Sequence, residues 1–100
     1  MLIIGELFMN YYYRREYKFS YHGLLRIKIR LNLKQERYMD VIDYCIQLIE
    51  SSYEIYKTKD FNYFKVNRTN LYFIIKNKDN LVVTLTPIKP EKLLKILDND

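Results

Sequence analysis

Tyr21-His22-Gly23-Leu24-Leu25-Arg26-Ile27-Lys28-Ile29-Arg30-Leu31 decides the fold, because the stretch admits two readings. As a helix, it places His22, Arg26 and Arg30 at i, i+4 and i+8, in one stripe. Leu24, Ile27 and Leu31 then form the opposite wall, while Leu25 and Ile29 crowd beside His22. As a strand, it joins an unbroken polar–apolar alternation from Arg26 to Lys34. Ile27, Ile29, Leu31 and Leu33 would line one face, with His22-Gly23 as a hairpin turn after Glu16 to Tyr21. Periodicity alone favours the strand.

The helical reading carries chemistry. An imidazole and two guanidiniums with no acid among them gain nothing from one another. Packed together they call for an external anion, and a phosphodiester is the simplest. His22 is the only histidine in the chain, so acid–base work near neutral pH falls to it first. The bland alternative is a surface or capping histidine followed by solvated arginines.

A resemblance breaks the tie. The run His22-x-x-x-Arg26-Ile27-Lys28-x-Arg30-Leu31-Asn32-Leu33, an amphipathic helix, and strands ending in Leu81-Val82-Val83-Thr84-Leu85 resemble a family of small toxin-like ribonucleases. That family is similar to BrnT and RelE, in the barnase–EndoU–colicin–RelE superfamily, and the likeness spans roughly Phe19 to Pro90. In its pattern the histidine opens a helix and the two arginines follow on its face. The chain departs from it at Gly23, where a helix former is usual, and at Ile29, where a charge is more typical. The resemblance implies RNA as substrate, an antitoxin protein as partner, and Thr84 as the family's hydroxyl in the last strand.

Length and composition bound the rest. One hundred residues suit a single domain with one modest core. The expected organisation is residues 1–8 as a leader not translated natively, 9–18 as an N-terminal segment, and 19–97 as the compact core. Translation would then start at Met9, because Ile4-Gly5-Glu6 can be encoded across a ribosome-binding sequence. The lone Cys45 cannot form an internal disulfide and falls in a helical apolar stripe, which fits a buried thiol in a reducing compartment. Met1-Leu2-Ile3-Ile4 breaks at Gly5-Glu6, too short for a signal peptide core or a membrane span. The expectation is a cytoplasmic protein with no membrane partner.

The net charge of +5 points to a polyanion. It is discounted because a chain with no alanine and abundant Ile, Lys, Asn and Tyr reads as the product of A/T-rich codons. Its distribution says more. Residues 1–38 hold eight Lys/Arg against three acids, 39–56 hold none against four, and 57–100 hold nine against five. Tyr11-Tyr12-Tyr13-Arg14-Arg15 sets aromatics before cations, a segment able to stack on bases while Arg14 and Arg15 hold phosphate. A flexible or edge-strand terminus accounts for it equally.

Downstream, Asn32 is expected as a helix N-cap with Gln35 completing a capping box. From Gln35 to Glu50, Tyr38, Val41, Ile42, Cys45, Leu48 and Ile49 repeat at helical spacing. Glu36, Asp40, Asp43 and Glu50 read as a solvated face rather than a metal site, and one histidine with one buried cysteine makes no zinc-type cluster. No metal and no cofactor are expected. Tyr53 to Tyr56, Phe61 to Asn67, Leu71 to Lys76 and Leu81 to Thr86 read as strands, joined by turn-rich Asn67–Asn70 and Asn77–Asn80. Leu71, Phe73, Ile75, Leu81, Val83 and Leu85 would form the apolar face. Tyr72, Lys76, Val82, Thr84 and Thr86 would form the other, joined by Tyr63 and Lys65 if the register permits. Pro90 opens a short helix through Leu97.

The expected fold is therefore α+β, with N-terminal helices on a three- to four-stranded antiparallel sheet and a short C-terminal helix. The expected activity is metal-independent cleavage of RNA by attack of its own 2′-hydroxyl. His22 would move the proton, Arg26 and Arg30 would clamp the phosphate, and Thr84 would hydrogen-bond it. Tyr72, Lys65 and Lys76 would touch bases and backbone. The competing readings are a non-catalytic nucleic-acid binder or an inhibitor of a nucleic-acid enzyme, using the same basic surface, and an interaction protein whose Tyr-rich strands pair with a partner.

Overall fold

The computed structural model describes residues 11–34 and 37–100. The proposed start at Met9 and the Gln35 half of the capping box lie outside them. The disputed stretch is a helix, α1 (Tyr21–Arg30). Two features outweigh its alternation. Ser20 is its N-cap, and the Ser20 hydroxyl accepts from the Gly23 N–H at 3.0 Å. Gly23 fits because the first turn lies against a strand backbone. A Cβ there would sit 2.9 Å from Ser20 Oγ and 3.1 Å from the Val83 carbonyl oxygen. The glycine that departs from the family pattern thus lets the helix approach the sheet.

Asn32 stops this helix rather than starting the next. Its φ is 53°, its N–H donates to the Ile29 carbonyl, and the Leu33 N–H donates to the Lys28 carbonyl. These two bonds make a Schellman closure, with Asn32 as the left-handed residue in place of glycine. The second helix, α2 (Tyr38–Glu50), begins after Arg37 instead. It buries Val41, Ile42, Cys45, Ile46 and Ile49; of the predicted stripe Tyr38 and Leu48 are only partly buried, and Ile46 is added.

Among the described residues two strands precede the helices, β1 (Tyr11–Arg14) and β2 (Tyr17–Ser20), turning at Arg15 with φ 55°. After α2 come β3 (Ile55–Lys57), β4 (Phe61–Lys65), β5 (Leu71–Lys76) and β6 (Leu81–Pro87), then α3 (Pro90–Asp98). They form one six-stranded sheet in the order β1-β2-β6-β5-β4-β3. Every pairing is antiparallel except β2 with β6. The expected three- to four-stranded antiparallel sheet behind N-terminal helices is therefore corrected. The segment 11–20, whose Tyr and Arg run has no clean alternation, supplies a hairpin that docks in parallel on the last strand.

The sheet carries a core on each face. Phe19, Leu24, Ile27, Val41, Ile42, Cys45, Ile46, Ile49, Val66, Phe73, Ile75, Val82 and Leu85 pack beneath α1 and α2. Tyr63, Tyr72, Ile88 and Leu93 pack beneath α3, with Tyr56, Phe61 and Ile74 against them. Most of the predicted face assignment holds, including Tyr63 and Lys65 beside Tyr72. In β6 it fails at a bulge: Ile74 pairs with Thr84 and Ile75 with Val82, so Val83 is the extra residue. The shift sends Val82 into the helix-side core three residues from Leu85.

Candidate functional site

The three residues that α1 was expected to align are on one surface. His22, Arg26 and Arg30 are all exposed, on the side of α1 away from buried Gly23, Leu24 and Ile27. Among the described residues, neither arginine forms an ion pair. The first turn of α1 carries no acid, and Lys28 and Arg30 occupy the last turn, where cations suit the helix dipole. Ile29, 78% exposed, stands beside the stripe. Lys28 does not join it: its ammonium lies 5.8 Å over the ring of Tyr38.

Tyr21 flanks His22, their ring centroids 5.9 Å apart and edge-on at 67°. Tyr21 also meets Tyr38 at 5.6 Å and 80°, and Tyr38 meets Tyr12 at 5.5 Å. A hydrogen bond with Tyr21, then partial burial, raises the Tyr38 phenol above its ordinary pKa. The aromatic run thus ties β1, α1 and α2 together at the end of α1 where His22 sits.

The other expected site residues are not there. Thr84 pairs with Ile74, a member of the α3-side packing, so its hydroxyl is on the sheet face opposite α1. Tyr72, only 5% exposed, is part of the core beneath α3. Lys65 shares that face and is held by Glu54 at 3.1 Å. Glu54 is in turn kept below the usual carboxylate range by the Tyr56 hydroxyl and by Lys65. Lys76 stands opposite Phe61 and borders an open groove of about 240 Å³ with Asp60, Phe61 and Lys78. A second groove, about 320 Å³, runs along α3 past Lys89, Glu91, Lys92 and Lys95. Neither groove includes a residue of α1. The sheet divides the expected site in two, and only the helical half stays together.

Arg14 and Arg15 are spoken for. Arg14 Nε and Nη2 donate to the two carboxylate oxygens of Asp43 at 2.9 and 3.3 Å. Arg15 meets Glu50 through two nitrogens, each at 3.0 Å. These fork-to-fork pairs dock the hairpin tip on α2, so part of the acidic face expected to be solvated is neutralised inside the chain. Lys18 lies 4.5 Å from the centre of the Tyr11 ring and 3.2 Å from an Asp79 oxygen. Composition could not reveal these pairings, because the partners stand 29, 35 and 61 positions apart.

Cys45 is fully buried, and burial pushes its thiol up to about 12. Among the described residues no group of three or more His, Cys, Asp or Glu is placed to hold a metal ion, and no helix is long and apolar enough to cross a membrane. Comparison with known protein families, curated proteins and solved structures gave no match to this chain.

Proposed function

We propose that this chain is a metal-independent endoribonuclease of toxin type, acting through the exposed face of α1. The observation that carries the reading is the helical stripe itself. Alternation favours a strand there, whereas the ribonuclease resemblance requires a helix opened by His22 with Arg26 and Arg30 on its face, and that arrangement is the one observed. His22 either takes the proton of the 2′-hydroxyl as it attacks phosphorus or gives a proton to the 5′-oxygen as its bond to phosphorus breaks, with water serving the other transfer. Arg26 and Arg30 hold the phosphate and the charge that builds on it. Thr84 takes no part, being across the sheet. A cytoplasmic location and an antitoxin partner belong to this reading.

The second reading is a non-catalytic RNA-binding module. The hydroxyl expected beside the phosphate is on the wrong face, and that absence favours binding without cleavage.

One experiment separates them: incubation of mixed single-stranded RNA with the protein in EDTA, beside His22→Ala purified identically. The ribonuclease reading expects cutting with cyclic phosphate ends and a loss of about 10²–10⁴ in rate on removing His22. A loss under about threefold removes His22 from the mechanism. Binding without cutting by either protein selects the second reading.

A further inference from the structure

Four aromatic rings run from the hairpin to the cationic stripe: Tyr12, Tyr38, Tyr21 and His22, each within 6 Å of the next. The inner two, Tyr12 and Tyr38, rest on the core beneath the helices. The outer two differ. His22 is exposed, and half-buried Tyr21 is a member of neither core. The three ring pairs meet at 42°, 80° and 67°, so none is a closed parallel stack. The run is backed on one side and open at the end nearest Arg26 and Arg30.

Surfaces for single-stranded nucleic acid set an open aromatic step beside cations, and here Arg26 and Arg30 meet no acid among the described residues. Bases stack on rings, and positive side chains track the backbone. We infer that the Tyr21–His22 step is a stacking platform for an unpaired base of single-stranded RNA, with the adjoining phosphates held by Arg26 and Arg30. This rests on the RNA reading above and deepens it by naming the substrate class. Each i to i+4 step climbs about 6 Å along the helix, so the backbone leaves the platform along α1. A duplex, whose bases are already stacked on both faces, offers the step nothing to take.

The test measures binding rather than cleavage, with two short fluorescent strands at low salt. One is a 2′-O-methyl oligouridylate, whose blocked hydroxyl prevents self-cleavage. The other has the same length and backbone but no bases. The parent protein is expected to bind the base-bearing strand at least about fivefold more tightly, since stacking one base contributes about 1–3 kcal/mol. Tyr21→Leu erases that preference and Tyr21→Phe keeps it, while binding of the abasic strand stays level across all three proteins. Equal binding of both strands by the parent overturns the platform and leaves phosphate binding standing, and that comparison needs no variant to fold. Equal losses in Tyr21→Phe and Tyr21→Leu also overturn it, because the hydroxyl bond to Tyr38 would then be the whole role of Tyr21. No binding of either strand overturns the RNA reading and the platform with it.

Discussion

The helices α1 and α2 lie side by side on one sheet face and use charge in opposite ways. The acids Asp43 and Glu50 of α2 are gripped by Arg14 and Arg15 of the hairpin, two bidentate pairs spent on docking β1 and β2. The arginines of α1 are matched by no acid among the described residues. A tally of charges treats Arg14, Arg15, Arg26 and Arg30 alike. The fold separates them into two that hold the chain together and two that meet no acid among the described residues.

That contrast can be broken in several places. The largest effect expected is on chemistry, where His22→Ala lowers RNA cleavage by about 10²–10⁴ without changing the thermal melt. Next comes packing under the two helices. Ile42, fully buried, should cost about 2–5 kcal/mol when replaced by alanine, read by urea denaturation. Third, Ser20→Ala removes the cap on α1 and should destabilise by about 1 kcal/mol. Because that cap holds the turn bearing His22, the same variant should lose cleavage before it loses global structure. Last, Arg14→Gln should lower the melting temperature by only a few degrees, with the loss shrinking as salt rises, since the pair with Asp43 is half exposed. A large, salt-insensitive loss there would mean that Arg14 docks the hairpin by more than its charge.

How legible this was in the sequence varied with the range of the interaction involved. The α2 stripe, β5, and the helix opened by Pro90 emerge from local periodicity and capping, and all three stand where the sequence puts them. The buried Cys45 follows from the same stripe. The stretch 21–31 was misleading, because Ile29 occupies a strand-like alternate position but faces solvent on a helix. Ser20, Gly23 and Asn32 settle it through one cap, one close approach and one Schellman closure. Asn32 reads as a helix start in the sequence because asparagine serves both helix ends, and only its φ distinguishes them. The bulge at Val83 could not be foreseen either, since one extra residue inverts every side chain beyond it. Of the candidate site, the part confined to α1 was legible. Thr84, Lys65 and Tyr72 required knowing which sheet face α1 covers, and that is decided by partners far along the chain.

The most direct test of the contrast is a charge-matched comparison of RNA affinity across a salt series. One protein carries Arg26→Gln with Arg30→Gln, the other Arg14→Gln with Arg15→Gln, so both lose the same net charge. The account predicts that the α1 pair loses most of its affinity. Its salt slope should also fall by about 1.4, the share of two single-strand phosphate contacts, while the hairpin pair stays close to the parent. Equal losses in the two proteins would contradict it, showing that RNA responds to overall charge and that the α1 stripe is not a site.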